Sequence, residues 1–166
     1  PAPPPMFTPY TVRGLTLKNR VVVSPMAQYS AVDGVAGDYH LMHLGARAMG
    51  GAAMVFAEMT CVSAQGRITP GCPGMYEPGH KQAWKRITDW IHANTDAKFA
   101  MQIGHAGAKA STRLAWEGMD QPLKEGNWPI VSASEQQYLP GVSQTAKAMT
   151  LEDMAQVKAD FVRSAQ

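Results

Sequence analysis

Three short apolar runs, each followed at once by polar residues, organise this chain. They lie within residues 21–29, 53–60 and 99–107 and lack the polar alternation of a half-exposed strand. Such runs are typical of parallel strands that are covered on both faces. In an α/β barrel, the carboxyl ends of the parallel strands build the active site. The pattern therefore predicts one site that the three segments share.

The rest of the pattern predicts the connecting elements. Turn residues around Gly14 indicate a hairpin over residues 10–12 and 15–17. The predicted strands are 20–24, 53–58 and 98–103, and the predicted helices are 39–49, 79–94 and one that begins after residue 150. Residues 104–149 show little periodicity and indicate a long loop, of the kind that often carries function.

Helix ends and faces add finer expectations. Asp38 is expected to cap the first helix, and Thr150 and Asp153 have the spacing of a capping box. The apolar stripe of the last helix is expected to consist of Leu151, Met154, Val157 and Phe161.

The alternation of strands and helices predicts an α/β fold with a parallel sheet. A closed barrel needs eight βα units and about 250 residues, whereas this chain has 166. We therefore expect the N-terminal part of a TIM (β/α)8 barrel, about three βα units preceded by the small hairpin. A small flavodoxin-like sheet is the alternative, but no glycine-rich phosphate-binding turn follows the first strand.

Composition narrows the class of protein. Hydrophobic residues make up 45% of the chain, charged residues 17%, and the net charge is +2. These values describe a globular protein and give no sign of a nucleic-acid surface or a membrane span. Cys61 and Cys72 make no disulfide framework, so a reduced, cytoplasmic setting is expected. The Pro-rich residues 1–6 suggest an interdomain linker before a domain over 7–166, and the sequence is expected to be a piece of a longer polypeptide.

Several residues at the strand ends carry candidate chemistry. Pro25 fixes the chain rigidly after the first strand. Tyr29 offers a hydroxyl to a carbonyl or a flat ring, although a core tyrosine with a solvated tip is the simpler alternative. Gln102 is expected to point inward at the end of the third strand, where a buried amide must find a partner. A buried Glu58 also needs a hydrogen-bonded or basic partner, and a structural use is expected.

Other polar residues give weaker signals. Lys109 and Arg113 follow the third strand and suit an anionic group, or are solvated loop charges. His40 and His43 have a spacing that some metal ligands share, but no second pair completes a site. No metal is therefore expected.

A set of motifs resembles one known family. The motifs are Phe7-Thr8-Pro9, Leu15-Thr16-Leu17-Lys18-Asn19-Arg20-Val21, Ser24-Pro25-Met26, Gln65-Gly66-Arg67-Ile68 and Gln102-Ile103-Gly104-His105-Ala106-Gly107. In this order and spacing they resemble the Old Yellow Enzyme family, FMN-dependent ene-reductases built on a TIM barrel. At a finer level, Trp116-Glu117-Gly118, Asn127-Trp128-Pro129 and residues 136–141 resemble the reductase-like part of bifunctional aromatic acyl-CoA enzymes of the salicylyl-CoA hydroxylase and aminobenzoyl-CoA monooxygenase/reductase type.

The resemblance implies a role for each matching residue. Four residues would lie against FMN, largely through backbone atoms: Ser24, Pro25, Met26 and Ala27. Met59 would lie near the pyrimidine edge of the flavin, Gln102 would hydrogen-bond that ring, and Tyr29 would face the substrate as the catalytic-site residue. The implied cofactors are FMN and NAD(P)H, and the implied substrate is a small activated unsaturated molecule, with an aromatic acyl-CoA derivative as the finer expectation.

Two positions depart from the family pattern. Ala27 stands where many members carry a Cys or Thr that bonds the flavin, and Ala108 stands where many carry an arginine. The implied partners are the remainder of the barrel and an upstream monooxygenase domain, and a homo-oligomer stays open. A flavin-free half-barrel scaffold or interaction module is the main alternative, and an unrelated barrel enzyme that uses Lys109 or Glu58 is a third.

Overall fold

A computed structural model of the chain describes residues 2–166. It contains two short 3₁₀ turns, Pro5–Phe7 and Gly107–Lys109, among the helices and strands. In chain order these are β1 (Tyr10–Val12), β2 (Leu15–Leu17), β3 (Val22–Val23), α1 (Asp38–Met49), β4 (Met54–Cys61), α2 (Pro78–Asn94), β5 (Lys98–Gly104), α3 (Ala115–Gly118), β6 (Val131–Ser132), β7 (Gln136–Gln137), β8 (Thr145–Ala148) and α4 (Leu151–Ser164).

The main sheet is parallel and consists of β3, β4 and β5 in that order, with β4 in the centre. α1 connects β3 to β4 and α2 connects β4 to β5, so the sheet is built from successive βα units. β1 and β2 form a separate antiparallel hairpin before it. The predicted α/β fold, the hairpin and the three parallel strands are confirmed.

The main hydrophobic core lies between this sheet and the helices α1 and α2. Val55 and Ala57 of β4 are fully buried in it. α2 contributes Trp84, Ile87 and Ile91, all at most 2% exposed. Their three- and four-residue spacing places them on one face of the helix, which explains why the pattern predicts this helix correctly.

The prediction of a structureless loop over residues 104–149 is wrong. β6, β8 and β7 form a second sheet in this order, with β6 parallel and β7 antiparallel to β8. Ala110, Ile130 and Ala146 are buried together there, with Trp128 packed against them. The Trp128 indole also donates a 3.0 Å hydrogen bond to the Gln65 carbonyl. These strands have two to four residues, which is too short to produce a periodic pattern.

One predicted helix start is confirmed and the other is wrong. The Thr150 hydroxyl accepts a hydrogen bond from the Asp153 amide at 3.1 Å, and the Asp153 carboxylate accepts one from the Thr150 amide at 2.9 Å. α1, however, is capped by Gly37 and not by Asp38. The Asp38 carboxylate instead pairs with Arg86 of α2 at 2.6 Å. Asp38 is already the first residue of α1, one position past the N-cap, so its carboxylate does not take the capping role.

The apolar stripe predicted on α4 is only partly correct. Its last two members are half-buried, but Leu151 is 85% exposed and Met154 41% exposed. The buried residues of this helix are polar, Asp160 and Ser164. Asp160 accepts hydrogen bonds from two side chains of its own helix, and Ser164 donates to the Met75 carbonyl at 3.0 Å. Ser164 therefore links the carboxyl end of α4 to the rest of the chain, whereas the hydrogen bonds of Asp160 stay within the helix.

The end of the Pro-rich segment forms a short turn that the sequence does not predict. Pro1 lies outside the described residues, and Pro5–Phe7 forms a 3₁₀ turn. Proline fits the first position of such a turn because its missing N–H has no partner to find there. The Arg20 amide donates to the Met6 carbonyl at 2.9 Å, which joins this turn to the segment that leads into β3. Among residues 2–166, no helix has the length and apolar character that crossing a bilayer requires.

The core makes a direct prediction about two tryptophans. Trp84 is 2% exposed and Trp116 is 65% exposed. Trp84→Ala should lower the free energy of unfolding by about 3–5 kcal/mol because it leaves a cavity in the core. The control Trp116→Ala should change it by less than about 0.5 kcal/mol. Urea unfolding followed by circular dichroism measures both, and equal losses in the two variants would contradict this assignment of the core.

Candidate functional site

The carboxyl ends of β3, β4 and β5 meet at one edge of the sheet, and a β-bulge interrupts the pairing there. β4 and β5 pair regularly as far as Ala57 and resume at Thr60. Across the break, Glu58 and Met59 of β4 stand opposite Gln102 of β5 alone. A bulge of this kind redirects side chains and is common beside active sites. It frees Glu58 and Met59 from the regular ladder at the point where the sequence predicts a site.

In the segment that follows β3, residues 24–29, side chains occupy some of the backbone groups and leave others open. The Gln28 side-chain amide folds back and donates to the carbonyls of Met26, at 2.9 Å, and Ala27, at 3.3 Å. The Tyr39 hydroxyl holds this side chain in place with a 2.8 Å hydrogen bond. Within residues 2–166, the amides of Met26 and Ala27 donate to no protein group. Two carbonyls are thus occupied while two amides remain open to a ligand.

The buried carboxylate of Glu58 anchors the same segment to β4. One of its oxygens accepts hydrogen bonds from the amides of Gln28, at 2.8 Å, and Tyr29, at 3.3 Å. Its other oxygen lies 3.2 Å from Nε2 of His40, on α1. Nδ1 of His40 accepts from the Gly37 amide, which leaves Nε2 as the nitrogen that carries the proton. The expectation that Glu58 finds a hydrogen-bonded or basic partner is confirmed by the two amides. Its second oxygen and Nε2 of His40 are close to each other but form no hydrogen bond within the described residues.

Gln102 and Met59 differ in how they are placed. The expectation that Gln102 is buried is wrong. Its side chain is exposed and makes no hydrogen bond within the described residues, so its amide is available to a ligand. The Met59 side chain lies along the end of β5, where a Cβ on Gly104 would be only 2.8 Å from its Cγ. The Cys61 thiol also donates to the Met59 sulfur at 3.8 Å. Glycine at position 104 therefore makes room for Met59.

Tyr29 has an unusual backbone and a perturbed side chain. Its φ is +50°, in the left-handed region that few residues with a side chain adopt. Burial raises the pKa of its phenol, the negative charges nearby add to this rise, and Lys109 opposes it. The Tyr29 phenol is thus close enough to Lys109 and Asp120 to feel their charges.

Lys109 and Arg113 are both engaged within the protein. The Lys109 ammonium lies 3.0 Å from the Asp120 carboxylate and 5.1 Å from the centre of the Tyr138 ring. Burial lowers the pKa of Lys109, but hydrogen bonds to these two residues outweigh it and raise the pKa above its ordinary value. Arg113 donates to the Pro122 carbonyl at 2.9 Å and braces its own loop. Lys109 therefore lies near Tyr29, whereas Arg113 has a structural bond.

The structure thus brings together most of the residues that the sequence selected. Ser24, Pro25, Met26 and Ala27 follow β3 directly, Met59 and Gln102 flank the bulge, and Tyr29 lies near Lys109. Sequence reasoning missed Asp120 and Tyr138, which sit in the segment predicted as loop. It also missed Gly71, which packs against Tyr29. No short-range pattern marks these three residues. Among residues 2–166, no group of three or more His, Cys, Asp or Glu is arranged to hold a metal ion.

His105 lies just past the end of β5. Its Nδ1 accepts a hydrogen bond from the Gly107 amide at 3.1 Å, and its Nε2 is buried without a partner in the described residues. Burial lowers the pKa of His105, and the charge of Asp160 only partly opposes this. The imidazole of His105 is therefore neutral. It lies just before the 3₁₀ turn that carries Lys109.

A family model agrees with this arrangement over almost the whole chain. The model of the NADH:flavin oxidoreductase / NADH oxidase family matches residues 5–166. The chain belongs to this family. An NADH:flavin oxidoreductase of Gibberella zeae is 41% identical over 165 residues, which cover 97% of this chain. An NADPH dehydrogenase of Bacillus cytotoxicus is 41% identical over 107 residues, 63% of this chain.

Solved structures show the same fold. Morphinone reductase in complex with tetrahydroNAD superimposes with a TM-score of 0.81 over 98% of this chain, at 22% identity. The N189A mutant of the same enzyme gives 0.80 over 99%. The chain spans 40% of the Gibberella protein, 31% of the Bacillus protein and 46% of the morphinone reductase chain. It therefore has the architecture of the N-terminal portion of this family's TIM barrel.

The residues at the sheet edge fit the family's flavin. A flavin ring presents alternating acceptors and an N–H along its pyrimidine side, and the chain offers the open amides of Met26 and Ala27 together with the free side-chain amide of Gln102. Ala27 offers only a methyl group from its side chain, so any polar contact at this position comes from the backbone.

The neutral His105 predicts a specific dependence of stability on pH. Because the folded pKa lies below its ordinary value, the unfolded chain takes up a proton first as the pH falls from about 7 to 5, and stability is lost in that window. His105→Asn should remove this contribution. The variant and the natural protein should therefore differ less in free energy of unfolding near pH 5 than near pH 7. Urea unfolding at several pH values tests this with His92→Asn, at an exposed helix position, as the control. A pH-independent difference would contradict the prediction.

Proposed function

We propose that this chain forms the first wall of the active site of an FMN-dependent NAD(P)H oxidoreductase of the ene-reductase type. The observation that carries the proposal is the set of unpaired donors at one edge of the sheet: the Met26 and Ala27 amides and the Gln102 side chain. Bound FMN would supply the hydride chemistry, and the protein would orient and tune it. Membership of the NADH:flavin oxidoreductase family supports this proposal.

Each site residue of this chain would have its own role in binding the flavin or the substrate. Ser24 and Pro25 hold the end of β3 rigidly, and the amides of the next two residues would donate to the ring. Gln102 would donate and accept along the pyrimidine edge, with Met59 packed beside it. Tyr29 would place its hydroxyl toward the substrate, and its raised pKa keeps the phenol protonated and able to donate near neutral pH. Lys109, paired with Asp120, would border the substrate.

The complete protein would extend this wall into a closed barrel. β5 has one partner, β4, within the described residues, and its other edge suits the next barrel strand. The phosphate-holding residues and the opposite wall would come from that remainder. We further propose an activated unsaturated substrate of the aromatic acyl-CoA type, an upstream monooxygenase domain, and a reduced, cytoplasmic setting. The last fits Cys61 and Cys72, which are both free and buried.

The test uses the full-length protein that contains these residues. It should purify with the yellow absorbance of FMN and oxidise NADH or NADPH steadily when 2-cyclohexen-1-one is added. A protein that binds no flavin would support the flavin-free half-barrel scaffold instead. The aromatic acyl-CoA proposal is tested separately, by comparing turnover of a dearomatised aromatic acyl-CoA with turnover of the simple enone.

Gln102 makes a sharper prediction. Gln102→Leu should weaken FMN binding by about tenfold, because it removes roughly 1–1.5 kcal/mol of hydrogen bonding to the ring. Stability without flavin should barely change, since this side chain has no hydrogen-bond partner within residues 2–166. Gln82→Leu, at an exposed position of α2, is the matched control. Fluorescence titration with FMN measures both affinities, and an unchanged affinity in Gln102→Leu would remove Gln102 from the flavin site.

A further inference from the structure

Tyr29 adopts its left-handed backbone without the help of a glycine. Its φ of +50° is a conformation that a tyrosine keeps only when its surroundings impose it. Two groups from the β4 side of the molecule contact its two peptide groups. They are the Glu58 carboxylate on its amide and Gly71 on its carbonyl.

The contact between Gly71 and Tyr29 is steric. A Cβ at this position would lie 2.2 Å from the Tyr29 carbonyl oxygen and 2.7 Å from its carbonyl carbon. The φ of Gly71 itself lies outside the left-handed region, so its backbone does not require glycine. The Tyr29 carbonyl therefore occupies the volume that any larger residue at position 71 would fill.

Gly71 is itself held firmly. Its carbonyl accepts from the Ala31 amide at 3.0 Å, two residues beyond Tyr29. Its amide donates to the Thr69 hydroxyl at 3.2 Å. The loop after β4 is therefore hydrogen-bonded to the loop after β3 at Ala31, and its Gly71 lies against the Tyr29 carbonyl.

The Glu58 contact is a hydrogen bond to the other peptide group of Tyr29, at its amide. Its carboxylate oxygen accepts the Gln28 and Tyr29 amides together, and its second oxygen is held at 3.2 Å from His40. Hydrogen bonds to an ionised carboxylate are stronger than bonds to a neutral acceptor. The carboxylate and Gly71 thus constrain both peptide groups of Tyr29.

We propose that Glu58 and Gly71 are positioning residues that hold Tyr29 in its left-handed conformation and so set where its hydroxyl meets the substrate. The proposal rests on the proposed function in taking Tyr29 as the residue that faces the substrate. It adds that substrate affinity depends on β4 and the loop after it, through Glu58 and Gly71, which act on Tyr29 and not on the substrate or cofactor directly.

The first experiment observes the Tyr29 carbonyl directly. Tyr29 is the one tyrosine that serine follows within these 166 residues. The full-length protein labelled with ¹³C at tyrosine carbonyls and ¹⁵N at serine therefore gives a cross-peak for this peptide bond, which its loss in Tyr29→Phe identifies. Gly71→Ala and Glu58→Gln should each move that peak. The controls Gly79→Ala, where a Cβ meets open space, and Glu125→Gln, at an exposed position, should leave it in place. An unmoved peak in the first two variants would overturn the proposal whether or not flavin is bound.

The second experiment uses the flavin-loaded full-length protein and a double-mutant cycle. Tyr29→Phe should raise KM for 2-cyclohexen-1-one by about tenfold through the lost hydrogen bond, and Glu58→Gln should raise it by a similar factor. If Glu58 acts through Tyr29, then Glu58→Gln should have little further effect on KM in the Tyr29→Phe background. Fully multiplicative effects would overturn the proposal. Absence of flavin binding would instead overturn the proposed function, and the carbonyl peak would still decide the role of Glu58 and Gly71.

Discussion

The edge of the sheet depends on one buried carboxylate. Glu58 lies at the bulge of β4, is 4% exposed, and joins three parts of the chain: its own strand, the loop after β3 and His40 of α1. A buried carboxylate is costly unless every oxygen finds donors or a cation. Here the donors are the backbone amides of the loop that forms the site. The requirement to satisfy one charge therefore fixes the course of the segment that would contact the cofactor.

The bulge and the loop are two halves of one arrangement. In a regular ladder, Glu58 and Met59 would alternate strictly across the sheet and pair with β5. The extra residue breaks that alternation, so Glu58 reaches the neighbouring loop and Met59 lies along Gly104. Gln102, opposite the break, keeps its side chain free. The irregularity in pairing is thus what lets three consecutive strands present different groups at one edge.

The sequence predicted the parts of this arrangement that depend on local pattern. The strand ends and the need of Glu58 for a partner follow from apolar runs and from the cost of a buried charge. The identity of that partner does not, because His40 is brought close only by the packing of α1 on β4. The contact of Gly71 with Tyr29 joins loops far apart in sequence. The cap at Asp38 was wrong because α1 is capped one residue earlier, by Gly37. The stripe with Leu151 and Met154 was wrong because the first turn of α4 does not pack these residues against the described part of the chain.

The hydrogen bonds of residues 26–29 also determine the polarity of the site. The first two residues of this segment, Met26 and Ala27, give their carbonyls to Gln28 and keep their amides open, and the next two give their amides to Glu58. The groups of this segment that remain open to a ligand are therefore the amides of Met26 and Ala27, because the carbonyls of the same two residues already accept hydrogen bonds. Donors fixed in advance at such an edge stabilise negative charge that develops on a ring lying against them. In the proposed function, an electron-accepting flavin would be a ring of this kind, and it would lie against the open amides of Met26 and Ala27.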